Sequence, residues 1–243
     1  MKKLGIIGGL GPMATAHYLA LITQMSEALK DQDHIEILLH SCPKIPDRTD
    51  FITGKSALNP EPDLVMLGKE LANAGAEIIT VPCFTAHYFL QAIRSAIDIP
   101  VIDAIDETAL YLKNAGIGHA GIIATDGMLC SGLYQDKLKA AGIKTYLPNP
   151  EAQRKIMELI YKIKSGQVID HDCFIQISQP LFNSGAEIVL LGCSDLSLLK
   201  NNQNLGNGYL DVLSVLSRRA VLECGKLRPE YLDLTINKRG KRY

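Results

Sequence analysis

Short apolar runs alternate with longer stretches of helical periodicity along most of the 243-residue chain. Apolar runs with polar residues only at their ends are typical of strands buried on both faces. The predicted strands are Leu4–Ile7, Ile35–Leu39, Ile78–Val81, Val101–Ile102, Gly121–Ala124 and Ile188–Leu191. The predicted helices are Thr15–Leu29, Asp63–Ala74, Ala86–Ala96, Glu107–Asn114, Leu133–Ala141, Glu151–Lys164 and Cys173–Asn183. Several of these helices are followed closely by a glycine, as helix ends often are, namely Gly75, Gly116, Gly142, Gly166 and Gly185. The alternation predicts an α/β fold with parallel sheets.

The chain also contains an internal repeat. Residues Asn73–Cys83 align without gaps on Asn183–Cys193, at an offset of 110 residues. A weaker match pairs Gly5–Ile7 with Gly121–Ile123 at a similar offset of 116 residues. A common helix-to-strand junction explains the shared Gly-Ala-Glu-Ile, but it does not explain why each copy ends its strand with a cysteine. The repeat therefore predicts two similar α/β lobes related by a pseudo-two-fold, with a cleft between them.

The repeat also suggests where the chain crosses between the lobes. The first lobe is predicted to comprise residues 1–103 and about 205–230, and the second lobe residues 104–204. The helix Leu210–Cys224 would return the chain to the first lobe. A basic tail at 231–243 carries Lys238, Arg239, Lys241 and Arg242, and we interpret it as a solvated end rather than a nucleic-acid site.

Composition narrows the classes of function. The chain has 25 basic and 26 acidic side chains, a net charge of −1 and no tryptophan, which argues against a nucleic-acid-binding surface. No CxxC pair occurs among the six cysteines, which predicts a reduced, cytoplasmic protein without a zinc site. The basic and apolar N-terminus resembles a secretion signal, but its glycines and Pro12 interrupt the apolar run, so we expect none. No apolar run reaches the roughly 18 residues that span a membrane, so no membrane association is expected.

Cys83 and Cys193 stand at the carboxyl ends of predicted strands, where parallel α/β sheets bind ligands. Two lobes facing each other would place one thiol on each wall of the cleft. Such a pair suits the inversion of a stereocentre, because one group can remove a proton from one face while the other delivers a proton to the opposite face. A thiol has a pKa of about 8.5, close enough to neutrality for this task. Helices predicted to start at Thr85 and Asp195 would favour the thiolates and offer free N–H groups to a substrate carboxylate.

Other motifs carry weaker signals. Residues 9–14 fit a GxGxxA dinucleotide pattern, but the acidic residue expected after the second strand is missing. Cys83 and His87 have the spacing of a metal pair without further ligands, and we interpret His87 as a capping or packing residue. The carboxylates of Asp103, Asp106 and Glu107 are interpreted as an exposed helix start. The remaining cysteines, which have no paired counterpart, are interpreted as structural: Cys42, Cys130, Cys173 and Cys224.

Several motifs in order make the chain similar to the aspartate/glutamate racemase family, which needs no pyridoxal phosphate. The motifs, in chain order, are Gly8–Thr15, Pro46-Asp47-Arg48-Thr49, Pro82–His87, Ser131–Gln135, Ile163–Gly166 and Gly192–Leu196. The resemblance implies a cofactor-independent and metal-free amino-acid racemase that forms a homodimer. It implies that Cys83 and Cys193 are the catalytic acid/base pair. The residues that it implies for substrate contact are Leu10, Arg48, Phe84, Thr85, Met128, Lys164 and Ser194, with Asp195 in a supporting role.

The chain departs from the family at two of these positions. The family usually carries Pro-Cys-Asn-Thr in the first cysteine motif, where this chain has Phe84. The family commonly has Gly-Thr before the Ser-Gly-Leu-Tyr stretch, where this chain has Gly127 and Met128. Each departure removes a hydrogen-bonding group. We therefore expect a less polar pocket and a preference shifted toward a less acidic or bulkier amino acid.

Two other functions remain open at this point. One is a related cysteine-dependent reaction of a small dicarboxylate, either a decarboxylation or a cis–trans isomerisation. The other is a non-catalytic relative that only binds an amino acid. Exchange of the Cα proton with solvent deuterium in both enantiomers would separate a racemase from both alternatives.

Overall fold

Two parallel sheets form the framework of the protein, as the strand–helix alternation predicts. The computed structural model describes residues 1–167, 169, 171–202, 205 and 207–234. The first sheet has the strand order β2-β1-β3, and the second has the order β5-β4-β6-β7. The strands are β1 (Leu4–Gly8), β2 (Ile37–Ser41), β3 (Ile78–Thr80), β4 (His119–Ile123), β5 (Lys144–Tyr146), β6 (Ile188–Leu191) and β7 (Tyr209–Asp211).

Helices cover both sheets and confirm most of the predicted helical stretches. They are α1 (Pro12–Met25), α2 (Arg48–Ile52), α3 (Glu61–Asn73), α4 (Leu90–Ala96), α5 (Ala104–Asn114), α6 (Asp126–Ser131), α7 (Leu133–Ala140), α8 (Pro150–Lys164), α9 (His171–Asn183), α10 (Ser197–Asn202) and α11 (Val212–Cys224). Local chemistry sets their ends. For example, the Asn149 side chain accepts a hydrogen bond from the Ala152 N–H where α8 begins, and Gly166 follows the helix at φ +76°.

Several element boundaries differ from the predicted ones. The sequence pattern missed the three-residue strands β5 and β7, and Val101 forms only a single bridge to Ile79. The helix predicted from Leu210 begins at Val212, because the Asp211 side chain accepts hydrogen bonds from the Leu213 and Ser214 N–H groups and caps it there. Their sequences, Lys144-Thr145-Tyr146 and Tyr209-Leu210-Asp211, lack the apolar run that marks β3, which has the same length.

The pairing of β7 also corrects one lobe boundary. Because β7 pairs with β6, residues 209–211 belong to the second sheet, whereas a crossing near residue 205 would have placed them in the first lobe. After Asp211, α11 packs against both α1 and α5, and the return of the chain to the first lobe stays a prediction. The division between residues 103 and 104 stays a prediction. Of the predicted basic tail, residues 235–243 lie outside the described residues.

A shared hydrophobic core holds the two sheets in one orientation. Leu4 and Ile6 of β1 belong to the same buried cluster as Ile122 of β4 and Leu190 of β6, together with side chains of α1, α5, α7 and α11. The neighbouring positions on each strand point the other way, as strand geometry requires. Thus Ile7 packs with α3 and α4, whereas Ile123 and Leu191 pack with α8 and α9.

We predict that Asp211 is a major local determinant of stability. Its buried carboxylate caps α11 and also accepts hydrogen bonds from the hydroxyls of Ser197, at 2.5 Å, and Ser214, at 2.6 Å. Asp211→Ala should therefore lower the free energy of unfolding by about 3 kcal/mol. The matched control is Asn149→Ala, which removes one exposed capping bond and should cost about 1 kcal/mol. Urea denaturation measures both, and equal costs would contradict the assigned role.

Candidate active site

The two cysteines of the repeat lie just beyond the carboxyl ends of β3 and β6. Both are buried, with 5% and 7% of their surfaces exposed, and both are free thiols. Each is followed by a 3-10 turn, Phe84–Phe89 and Ser194–Leu196, so the prediction that helices start at Thr85 and Asp195 is wrong in detail. The turns arise because the Cys83 and Cys193 carbonyls accept hydrogen bonds from residues three positions on. The α-helices α4 and α10 begin only at Leu90 and Ser197.

One pocket brings the two cysteines together, with lining side chains from both lobes. Besides the cysteines, the predicted site residues that line it are Leu10, Arg48, Phe84, Thr85, Lys164, Ser194 and Asp195. The residues that sequence analysis missed are Asp47, Thr49, Thr125, Met157, Ile160 and Tyr161.

The missed residues do leave a signal in the sequence. Met157, Ile160 and Tyr161 lie on one face of α8 with Lys164, at spacings of three, four and seven residues from the first. Asp47 and Thr49 flank Arg48, and Thr125 follows β4 closely, as Cys193 follows β6. The helical spacing of Met157, Ile160 and Tyr161 from Lys164, and the place of Thr125 after β4, are the signals in the sequence that indicate these positions.

The structure does not place Met128 at the pocket. The Met128 side chain is fully buried in the shared core, and its backbone N–H donates to the Thr125 hydroxyl at 3.2 Å. Gly127 explains this arrangement, because a Cβ atom there would lie 2.9 Å from the Thr49 backbone. The first turn of α6 therefore presses against the first lobe, and Thr125 takes the pocket position that Met128 was predicted to have.

The hydroxyls of Thr85 and Thr125 link the two lobes inside the pocket. Their oxygen atoms are 2.9 Å apart and share a hydrogen bond. Both residues are buried, with 7% and 5% of their surfaces exposed. Because Thr125 accepts the Met128 N–H, its own hydroxyl hydrogen is available for Thr85. The two lobes thus meet through a polar contact next to Cys83.

Arg48 brings a buried positive charge to the pocket. Its guanidinium donates to the backbone carbonyls of Ile45, Pro46 and Leu10 at 3.1–3.3 Å. Burial acts to lower the pKa of Arg48, but the neighbouring Cys83 and Asp47 outweigh it and raise that pKa. The carbonyls hold the cation in place without neutralising it.

Lys164, Asp195 and Cys193 form a connected group on the other side of the pocket. The Lys164 Nζ atom lies 2.5 Å from the Asp195 Oδ2 atom, and the Cys193 thiol donates to the same oxygen at 3.7 Å. Burial and the Asp195 carboxylate raise the pKa of Cys193 well above that of a free thiol, although Lys164 acts in the opposite direction. Burial acts to lower the pKa of Lys164, but Asp195 and Cys193 hold it above its usual value. Cys193 therefore keeps its proton at neutral pH.

The weaker candidates lie away from this chemistry. The His87 imidazole stacks on Phe84, with ring centroids 5.9 Å apart, and burial lowers its pKa to about 4, so it is neutral at pH 7. Asp103 caps α5 and is mostly buried, which corrects its interpretation as an exposed group. Cys42, Cys130, Cys173 and Cys224 do not line the pocket. Within the described ranges no three His, Cys, Asp or Glu side chains are grouped to hold a metal, and no helix has the length and apolarity to cross a membrane.

Comparison with known proteins identifies the family. The sequence profile described as Asp/Glu/Hydantoin racemase matches residues 7–216. The chain belongs to this family and is, at that level, an amino-acid racemase and hence an isomerase.

Individual relatives extend this finding. The chain is 23% identical over 225 residues to the broad specificity amino-acid racemase RacX of Bacillus subtilis, covering 90% of this chain and 96% of the relative. It is 27% identical over 185 residues to a glutamate racemase of Corynebacterium glutamicum, covering 68% and 65%. The Picrophilus torridus aspartate racemase structure superposes with a TM-score of 0.81 at 27% identity, covering 95% of this chain and 98% of that one.

We predict that Asp195→Asn increases the reactivity of Cys193. The substitution removes a carboxylate that raises the pKa of this thiol and leaves the Lys164 cation that lowers it. More thiolate should form at pH 8, so alkylation by iodoacetamide should be at least about tenfold faster, because one pKa unit changes the thiolate fraction about tenfold. Peptide mapping by mass spectrometry follows the reaction. The exposed Cys130 serves as an internal control, and an unchanged or slower rate at Cys193 would contradict the prediction.

Proposed function

We propose that the protein racemises an amino acid without a cofactor, using Cys83 and Cys193 as two bases on opposite sides of Cα. The observation that carries the proposal is that both thiols line one pocket, each from a strand end of a different sheet. The family membership supports racemase chemistry in general, and this pair of thiols supports the particular mechanism.

The proposed reaction moves one proton at each thiol. A Cys83 thiolate removes the Cα proton from one face, and the bond electrons pass into the substrate carboxylate as an enolate. The Cys193 thiol then delivers its proton to the opposite face, which inverts Cα and leaves Cys193 as the thiolate. The reverse reaction, or exchange with solvent, restores the first state. The raised pKa of Cys193 supports its assignment as the acid in this direction.

The surrounding residues suit the charges of this reaction. The Arg48 cation faces the pocket beside Cys83, where it would stabilise the thiolate and receive the substrate carboxylate as charge moves onto it. The Thr85 hydroxyl lies at the same wall and would hydrogen-bond the substrate. Ser194 and Leu10 would close the pocket around it. Homodimer formation and cytoplasmic location stay predictions.

The test combines single substitutions with two measurements on the intact protein. Cys83→Ser and Cys193→Ser should each reduce racemisation by at least about a hundredfold, because general acid–base groups typically contribute 10²–10⁴-fold. Chiral chromatography after incubation with L- and D-amino acids measures that loss. Each variant should still exchange the Cα proton of one enantiomer with solvent deuterium, since one base remains, and the two variants should differ in which enantiomer they exchange.

The matched control is Cys130→Ser, which removes an exposed thiol outside the pocket and should leave racemisation unchanged. Full racemisation by either pocket variant would overturn the two-base mechanism. Turnover of a small dicarboxylate without Cα exchange would favour the decarboxylase or cis–trans isomerase alternative. Binding of an amino acid without any exchange by the unmodified protein would favour a non-catalytic relative.

A further inference from the structure

The candidate pocket adjoins a second groove, and the two thiols lie only on the pocket side. The residues that line the groove include Met13, Lys164 and Asp195, and the groove reaches the surface at Met13, which is 66% exposed. Lys164 and Asp195 also line the pocket that holds the thiols, whereas neither Cys83 nor Cys193 lines the groove. This ion pair therefore lies between the buried thiols and the protein surface.

Hydrogen-bonding groups connect Cys193 to this groove. The Cys193 thiol donates to the Asp195 Oδ2 atom at 3.7 Å, and the Lys164 Nζ atom lies 2.5 Å from the same oxygen. Only 3% of the Asp195 side chain is exposed, whereas 29% of the Lys164 side chain is. Gly11 leaves the pair uncovered, because a Cβ atom there would lie 3.3 Å from Asp195 Oδ1 and 3.8 Å from Lys164 Nζ. One oxygen atom thus links the buried thiol to an ammonium group that reaches solvent.

The surroundings of Cys83 contain no comparable link among the described contacts. Its charged neighbour is Arg48, whose guanidinium stays protonated in proteins and so cannot pass a proton on. Asp47 also lines both the pocket and the groove, but the hydrogen bond described for its carboxylate is the one that caps α2. The Thr85 hydroxyl pairs with that of the buried Thr125. The two thiols therefore differ in their connection to solvent.

We propose that Asp195 and Lys164 relay protons between Cys193 and solvent while substrate fills the pocket, and that Cys83 exchanges its proton more slowly because it has no such relay. The inference rests on the proposed function, since it assumes that both thiols act on Cα. A bound substrate would displace water from between the thiols, so that proton carriers in the wall of the pocket decide which thiol communicates with solvent. Lys164 suits this task, because an ammonium group has three rotatable hydrogens and can lose one of them.

The relay moves protons only, and the bonds that change are bonds to hydrogen. When Cys193 acts as the base, its thiolate takes the Cα proton and becomes a thiol. In heavy water, Lys164 gives one deuteron to solvent and becomes the neutral amine. The thiol then passes the substrate proton to Asp195 Oδ2, and Asp195 passes it to that amine. The ammonium rotates and returns a deuteron to the Cys193 sulfur through the same oxygen, and the amine regains a deuteron from the solvent that received one.

Isotope exchange during racemisation in heavy water tests the relay. The enantiomer that Cys193 deprotonates is identified as the one that Cys83→Ser still exchanges. The unmodified protein then racemises each pure enantiomer to low conversion, and chiral chromatography with mass spectrometry measures deuterium at Cα of the remaining substrate. Deuterium appears there only when a thiol has exchanged its proton before returning it. Per molecule of product, the enantiomer deprotonated by Cys193 should gain at least about tenfold more deuterium than the other, because positioned proton-transfer groups typically contribute 10²–10⁴-fold.

Two variants separate a relay from a purely electrostatic role. Lys164→Arg keeps a cation beside Asp195, but a guanidinium cannot release a proton. Asp195→Asn should make Cys193 more reactive, yet an amide cannot carry the proton as a carboxylate does. For the enantiomer deprotonated by Cys193, each variant should lower the deuterium gained per molecule of product at least about tenfold. The value for the other enantiomer should not change, and neither ratio depends on the fraction of protein that is folded.

Lys155→Arg is the matched control. Lys155 is an exposed residue of the same helix that pairs with Glu151, and its substitution should leave both ratios unchanged. Equal gain of deuterium by the two remaining enantiomers, or a ratio unaffected by Lys164→Arg, would overturn the relay and leave the two-base mechanism intact. Full racemisation by Cys83→Ser or Cys193→Ser would overturn both, since the thiols would then not be the bases.

Discussion

One hydrophobic core contains side chains of both sheets, and it fixes the position of the two sets of strand ends relative to each other. Ile6 of the first sheet and Ile122 and Leu190 of the second belong to one buried cluster, which also contains side chains of α1, α5, α7 and α11. Burial of these side chains is the largest favourable contribution to folding. Because the cluster fixes both sheets, the loops after β3 and β6 meet at one cavity. The site is therefore a consequence of packing that lies outside it.

The sequence carried enough information for the framework and for most of the site. The repeat Asn73–Cys83 and Asn183–Cys193 predicted two buried strands and the cysteines beyond them, because strand burial and the following loop are local properties. It could not predict β7, whose three residues become a strand only by pairing with β6. The prediction that Met128 contacts the substrate was wrong for a similar reason. The direction of the Met128 side chain depends on how closely Gly127 approaches Thr49 of the other lobe. Contacts between lobes leave little local signal.

The sequence also did not predict which groups contact each charged side chain of the pocket. Arg48 and Lys164 were both predicted substrate contacts, and nothing in their spacing distinguishes them. In the structure one is held by carbonyls and the other by a carboxylate. The Asp195 carboxylate directly offsets part of the Lys164 charge, whereas the carbonyl oxygens that accept hydrogen bonds from Arg48 are uncharged. This difference arises from chain segments far apart in sequence, since Lys164 and Asp195 are 31 positions apart.

The same contrast gives the two repeated cysteines unequal surroundings. The backbone repeats at Cys83 and Cys193, with a strand, a cysteine and a 3-10 turn in each copy. The charges do not repeat: Arg48 is a neighbour of the first thiol, and the Asp195 carboxylate accepts a hydrogen bond from the second. Racemisation in one direction needs a base on one face and an acid on the other, and the reverse direction exchanges these roles. The unequal surroundings therefore bias which thiol carries the proton before substrate binds. In the proposed mechanism the fold supplies two opposed thiols, and side chains outside the repeat decide which one holds the proton.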